Sequence, residues 1–146
     1  MGSGMQSVFS WLPSLIWWAG CGQLLLILAS LAIPRVLGWR EDTAKLKPLT
    51  RQVFWTYAVY IWSINLAFGL VSLRPSWLLD SSPLATAVTG LIAVYWIGRI
   101  LIQFFYMDRS DAPEGWWVKC SEVALVGLFF YLALVYAIAW WWNFLQ

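Results

Sequence analysis

Four apolar stretches, each about as long as a helix that crosses a bilayer, decide most of what this chain can fold into. They run approximately from Ser14 to Pro34, Val53 to Leu73, Leu84 to Tyr106 and Ser121 to Trp142. A hydrocarbon core ~30 Å thick takes about 20 residues of helix, so each stretch spans it once. In hydrocarbon the backbone must satisfy its own hydrogen bonds, and a helix does so within one segment. The pattern therefore predicts an all-α integral membrane protein. Residues 1–146 form a single transmembrane domain, a bundle of four helices antiparallel in sequence order. Composition excludes the soluble alternative, because 62% of the residues are hydrophobic and only 11% are charged. A short water-soluble fold keeps much of its area exposed and has no place to hide so much apolar surface.

Prolines punctuate the stretches. Pro13, Pro48, Pro83 and Pro113 stand where helices begin, at first-turn positions that need no N–H donor, with Ser82 and Asp111 as expected N-caps. The first stretch lacks a preceding Lys or Arg and is long for a signal sequence, so it reads as a retained span; cleavage near Ala29 or Ala32 is the disfavoured alternative. Of the nine basic residues, Arg35, Arg40, Lys45, Lys47 and Arg51 fall in the first loop and Arg109 and Lys119 in the third, against Arg74 alone in the second. That bias predicts loops one and three in the cytoplasm and both termini on the opposite, non-cytoplasmic side. The first loop, Arg35 to Gln52, reads as solvated or as lying on anionic headgroups.

The chain is rich in tryptophan, with 13 residues. Trp11, Trp17, Trp18, Trp77, Trp140, Trp141 and Trp142 fall near one membrane interface, and Trp39, Trp55, Trp116 and Trp117 near the other. Two anchoring belts explain these; only Trp62 and Trp96 lie deeper. Small residues recur at four-residue spacing as Ser63 and Ala67, Thr86 and Gly90, and Ala133 and Ala137, while Gly20 and Gly22 bracket Cys21. Such spacing allows helix backbones to approach, within the bundle or between copies.

The absence of histidine removes the usual haem ligand, metal ligand and proton shuttle of membrane bundles, and with it every Ser-His-Asp or Cys-His arrangement. Cys21 and Cys120 are far apart and make no CxxC pair, and no phosphate-binding glycine motif is present. No catalytic constellation, metal site or cofactor is therefore predicted. A net charge of +2, spread between apolar runs, speaks against nucleic acid.

Arg99, inside the third stretch, is the leading candidate for a binding or pore role, because a charge at membrane depth must face protein, water or an opposite charge. If the turn between the third and fourth helices is centred near residue 110.5, Glu122 lies level with Arg99. The pattern then predicts an Arg99 to Glu122 pair, with Gln103 and Tyr95 one turn to either side on the same face. A structural tether explains such a pair better than a function does. Asn65 and Gln23 are expected to hydrogen-bond across helix interfaces, and a polar site would require Tyr57, Tyr60, Tyr95 and Arg99 to converge with them. The acidic trio Asp108, Asp111 and Glu114 reads as capping and helix-dipole chemistry in preference to a cation site.

The expected function follows largely from what is missing. The chain reads as an accessory or scaffold subunit acting by helix-helix association among membrane lipids, as a homo-oligomer or within a larger complex. The alternatives are a small transporter or channel with a polar path around Arg99, Glu122, Gln103 and Asn65, and a lipid- or quinone-handling enzyme. The absence of Asn-x-Ser/Thr sequons and the compact layout place it in the bacterial inner membrane.

Overall fold

The computed structural model describes residue 7, residues 9–106 and residues 115–146. A 3-10 turn, Phe9–Trp11, leads into seven helices: α1 Leu12–Ser30, α2 Ile33–Val36, α3 Trp39–Ala44, α4 Pro48–Ser72, α5 Pro75–Leu78, α6 Pro83–Phe105 and α7 Trp116–Leu145. Among the described residues there is no strand. Four helical segments are long and apolar enough to cross a membrane: Phe9–Val36, Pro48–Ser72, Pro83–Phe105 and Trp116–Leu145.

The helix starts follow local chemistry. Pro13, Pro48 and Pro83 occupy first-turn positions of α1, α4 and α6. Ser82 caps α6, its Oγ accepting from the Ala85 N–H at 3.0 Å. Asp80 shapes the same turn by accepting from the Ser82 N–H at 2.9 Å. Hydrogen bonds from Ser82 hold its carboxyl below the ordinary Asp value. Pro113, the Asp111 cap and the trio Asp108, Asp111 and Glu114 lie outside the described residues. The described part of α7 follows Gly115, whose φ of 144° suits glycine.

The first loop is more ordered than its charge implied. It folds into α2 and α3, joined at Gly38 in the left-handed region with φ 67°. Thr43 donates to the Trp39 carbonyl at 2.6 Å and accepts from the Trp55 indole at 3.2 Å. Trp39 packs edge-on against Phe54 and Trp55 of α4, at ring distances of 5.1 and 6.1 Å. Arg35, Arg40, Lys45 and Lys47 remain exposed. Trp39 and Thr43 sit one turn apart on the face of α3 that meets α4, which reconciles the charged composition with a docked helix.

Packing joins α6 to α7 along the broadest interface, α1 to α4, and α1 to α7. Helices α4 and α6 touch mainly through side chains, such as Phe68 edge-on to Tyr95 at 5.4 Å. The four long helices thus form a ring with a thin α4–α6 seam. At the α1–α4 crossing the backbones nearly meet: a Cβ on Gly20 would stand 2.9 Å from the Gly69 carbonyl oxygen and 3.0 Å from Ser72 Cβ. Of the predicted small pairs, Ala133 is buried, Gly90 receives the Trp140 indole, and Ser63 and Ala67 face outward.

Burial is distributed unevenly along the bundle. In α1 the buried residues end at Gln23, in α4 they begin at Asn65, in α6 they end at Trp96, and in α7 they begin at Phe129. These positions mark one level. On the side where Leu12 and Leu145 lie, the terminal side, the helices enclose a core of Leu12, Ile16, Ile92, Leu132, Val135 and Ala139. On the loop-one side no described residue of the four long helices is fully buried.

The Gly20–Gly69 approach generates a paired test. Gly20→Val forces the α1 and α4 backbones apart, and a loss of about 1–3 kcal/mol is expected, the usual cost of overpacking. Gly98→Ala adds a Cβ with nothing within 4 Å and is expected to leave stability equal or higher. Thermal unfolding in detergent, followed by circular dichroism, separates the two.

Candidate functional site

Polar side chains at membrane depth need partners, because hydrocarbon supplies none. Just on the terminal side of the level where burial ends, each long helix contributes one such group. Gln23 of α1 donates from Nε2 to the Tyr136 hydroxyl of α7 at 2.6 Å and accepts at Oε1 from the Trp96 indole of α6 at 3.3 Å. The Tyr136 hydroxyl also makes a short hydrogen bond with Ser72 Oγ of α4. Ser72 and Gln23 return to their own helices as well, Ser72 Oγ donating to the Phe68 carbonyl and Gln23 Nε2 to the Ala19 carbonyl. All four residues are shielded almost completely, with Trp96 at 1% exposure and Gln23, Ser72 and Tyr136 at 0%.

A second group closes the terminal end. Asn143 of α7 donates to the Leu78 carbonyl at 2.6 Å and accepts from the Ser81 N–H at 3.2 Å. Ser81 has a positive φ of 63°, and the Asn143 amide holds this turn between α5 and α6 against the end of α7. Between Ser81, Thr86, Gly90, Trp140, Asn143 and Phe144 an open groove of ≈ 500 Å³ remains.

The candidates singled out in the sequence sit on the other side of the Gln23 network. Arg99 is half-buried, its Nη1 donating to Gln103 Oε1 at 3.4 Å and its guanidinium lying 5.0 Å from the Phe129 ring centre. Phe129 in turn stacks on Trp96 at 5.6 Å. The Arg99 charge thus rests on an aromatic pair that also forms the edge of the core, a favourable cation–π arrangement. Tyr95 lies beside Asn65 and in the field of Arg99, which brings four of the five predicted residues, Tyr95, Asn65, Arg99 and Gln103, to one region. Glu122 is half-buried on α7, seven residues before Phe129. At 1.5 Å per residue this is about 10 Å along the axis, so Glu122 stands near the level where α6 ends. Tyr57 and Tyr60 are exposed at 63% and 64% and do not converge with the rest.

Gln23 makes the cross-helix bonds expected of it, and Asn65 does so only in part. Asn65 faces Tyr95 across the α4–α6 seam, yet its buried Oδ1 accepts no hydrogen bond. Tyr136, Ser72 and Asn143 escaped the sequence reading because tyrosine, serine and a terminal asparagine are ordinary in membrane helices. What distinguishes them is the helix face they occupy, which an almost uniformly apolar sequence does not encode. Among the described residues no cluster of Cys, Asp or Glu is placed to hold a metal ion, and both cysteines are unpaired thiols.

Chemically, the Gln23 network is a lock: its donors and acceptors are turned on one another and its members are out of reach of solvent. The half-buried polar groups Arg99 and Gln103, and Asn65 at the α4–α6 seam, lie on the loop-one side of that lock. No known protein family, curated protein or solved structure matches the chain.

The lock makes a measurable claim. Tyr136→Phe removes the acceptor of Gln23 Nε2 and the partner of Ser72, and a loss of about 1–2 kcal/mol is expected. In a double-mutant cycle, Gln23→Leu with Tyr136→Phe is expected to cost clearly less than the two single changes together. Strict additivity in thermal unfolding would show that the two side chains do not act on each other.

Proposed function

We propose that this chain is a multi-pass membrane protein that works by helix–helix association, as an accessory or scaffold subunit that also binds its own kind. The observation that supports this most directly is the state of α4. Of its 25 residues only Asn65, Gly69 and Ser72 are buried, and it turns Ser63 and Ala67 outward at the spacing that lets a second helix approach. Thr86 with Gly90 and Ala133 with Ala137 are engaged within the bundle, so α4 is the helix best fitted to receive another copy. The Gln23 network on the terminal side supplies rigidity without supplying chemistry.

A pore is the second reading, and Arg99 with Gln103 is what favours it. The terminal side of the bundle is filled by apolar residues and by the Gln23 network, so a polar path through one chain meets a dry barrier there. A path would have to run between copies, with Arg99, Gln103, Glu122 and Asn65 as lining candidates, and would favour anions.

In the proposed arrangement α3 and the basic residues of the first loop face the cytoplasm, and both termini face away from it. A bacterial inner membrane suits the compact layout and the positive charge of that loop.

Light scattering of the detergent-solubilised protein tests the association. The wild type is expected to exceed the 16.8 kDa of one chain, and Ala67→Leu to reduce it to that mass while helix content is kept. A wild type that runs as a single chain would end the self-association reading. Orientation has its own test, because Cys120 is exposed near the start of α7 and Cys21 is half-buried within α1. A membrane-impermeant maleimide is expected to label Cys120 in inside-out vesicles and to spare it in intact cells; the reverse pattern would invert the topology.

A further inference from the structure

We infer that the seam between α4 and α6 seats the head of a lipid-soluble phenol or quinol, with the ligand's hydroxyl donating to Asn65 Oδ1. Three observations lead there. Asn65 is 9% exposed, and its Oδ1 is buried without a hydrogen bond. An orphaned acceptor at membrane depth is costly, and the cost is removed by any occupant that brings one donor. The atom therefore specifies half of the ligand's chemistry.

The walls specify the other half. Asn65 lies beside Tyr95, and one turn along α4 Phe68 meets the same tyrosine edge-on at 5.4 Å. Tyr95 continues edge-on into Trp96 at 5.1 Å. Rings placed this way accept another ring edge-on or offset, which selects an aromatic head over an aliphatic alcohol.

Access fixes the solubility of the ligand. Helices α4 and α6 do not pack backbone to backbone, so only side chains such as Phe68 and Tyr95 close the seam. The Gln23 network blocks approach from the terminal side, leaving a lateral route from the hydrocarbon between exposed Ile61 and Ile64 of α4 and Ile102 of α6. A molecule that travels this route must dissolve in the bilayer. The seat is independent of self-association, since Ser63 and Ala67 point elsewhere on α4.

The probe pair is 4-octylphenol and its methyl ether, which differ in the single O–H. Binding to the purified full-length chain in detergent is measured by calorimetry, for the wild type and for Asn65→Leu. The wild type is expected to prefer the phenol by about tenfold or more, the usual penalty for leaving a buried acceptor unmet. Asn65→Leu is expected to lose that preference while keeping its helix content and unfolding at an equal or higher temperature, because it removes the orphaned oxygen. Equal binding of phenol and ether by the wild type would overturn the inference and leave Asn65 Oδ1 to a water molecule. A preference that survives in Asn65→Leu would also overturn it, by moving the donor's partner elsewhere. If Asn65→Leu misfolds, Asn65→Val carries the test: it too removes the acceptor and is expected to abolish the phenol preference, and a preference of unchanged size would again refute the assignment.

Discussion

In a bilayer a polar side chain has no solvent to fall back on, and the rest of this structure depends on how four of them meet. Gln23, Ser72, Trp96 and Tyr136 come from four different helices and share three direct hydrogen bonds. Apolar contacts alone distinguish poorly between rotations of a helix in hydrocarbon, because lipid tails are as apolar as leucine. A bond that exists at only one rotation and one depth does distinguish. The Gly20–Gly69 crossing then becomes intelligible: it brings Ser72 close enough to α1 for the hydroxyl to join the network. The glycines supply proximity and the network supplies register.

The number and approximate limits of the four long helices were legible in the sequence, because span length and proline punctuation are local signals. Their arrangement was only partly so. Gln23 is conspicuous at membrane depth and makes the cross-helix bonds anticipated for it. Ser72 and Tyr136 are invisible by the same reasoning, since neither is unusual in an apolar helix. The docked α2 and α3 were hidden by the charge of Arg35 to Gln52, although Gly38, Trp39 and Thr43 carry the turn and the contact face. The facing of α6 on α7 depends on a turn whose centre sequence cannot locate. The Phe129 ring that receives Arg99 is one apolar residue among many on α7 and carries no signal of that contact in the sequence. That Tyr95, Arg99 and Gln103 share a helix face was legible from their spacing, whereas the approach of Asn65 to Tyr95 across the α4–α6 seam was not, because spacing along one helix does not tell which face of another it meets.

The division of the bundle at the level of Gln23, Asn65, Trp96 and Phe129 separates two physical regimes. On the terminal side the helices bury one another and the turn at Ser81 is fastened by Asn143. On the loop-one side lipid, ligand or another helix must complete the packing, and this is where the charge of Arg99 is held over an aromatic pair. A fixed half and an adaptable half in one small chain are what the proposed scaffold role would call for.

The network also has a consequence for how the chain comes to exist in the membrane. Gln23, Ser72 and Trp96 belong to the first three long helices, whereas Tyr136 lies near the end of the last. During synthesis the earlier helices therefore enter the bilayer with Gln23 Nε2 and Ser72 Oγ lacking their interhelical partner, and they stay adhesive until α7 arrives. A nascent chain stalled before α7 exposes those groups to any neighbouring helix or to the quality-control proteases that patrol the bilayer. Completion of the four-helix fold and concealment of its sticky surface are thus a single event, timed by the arrival of α7.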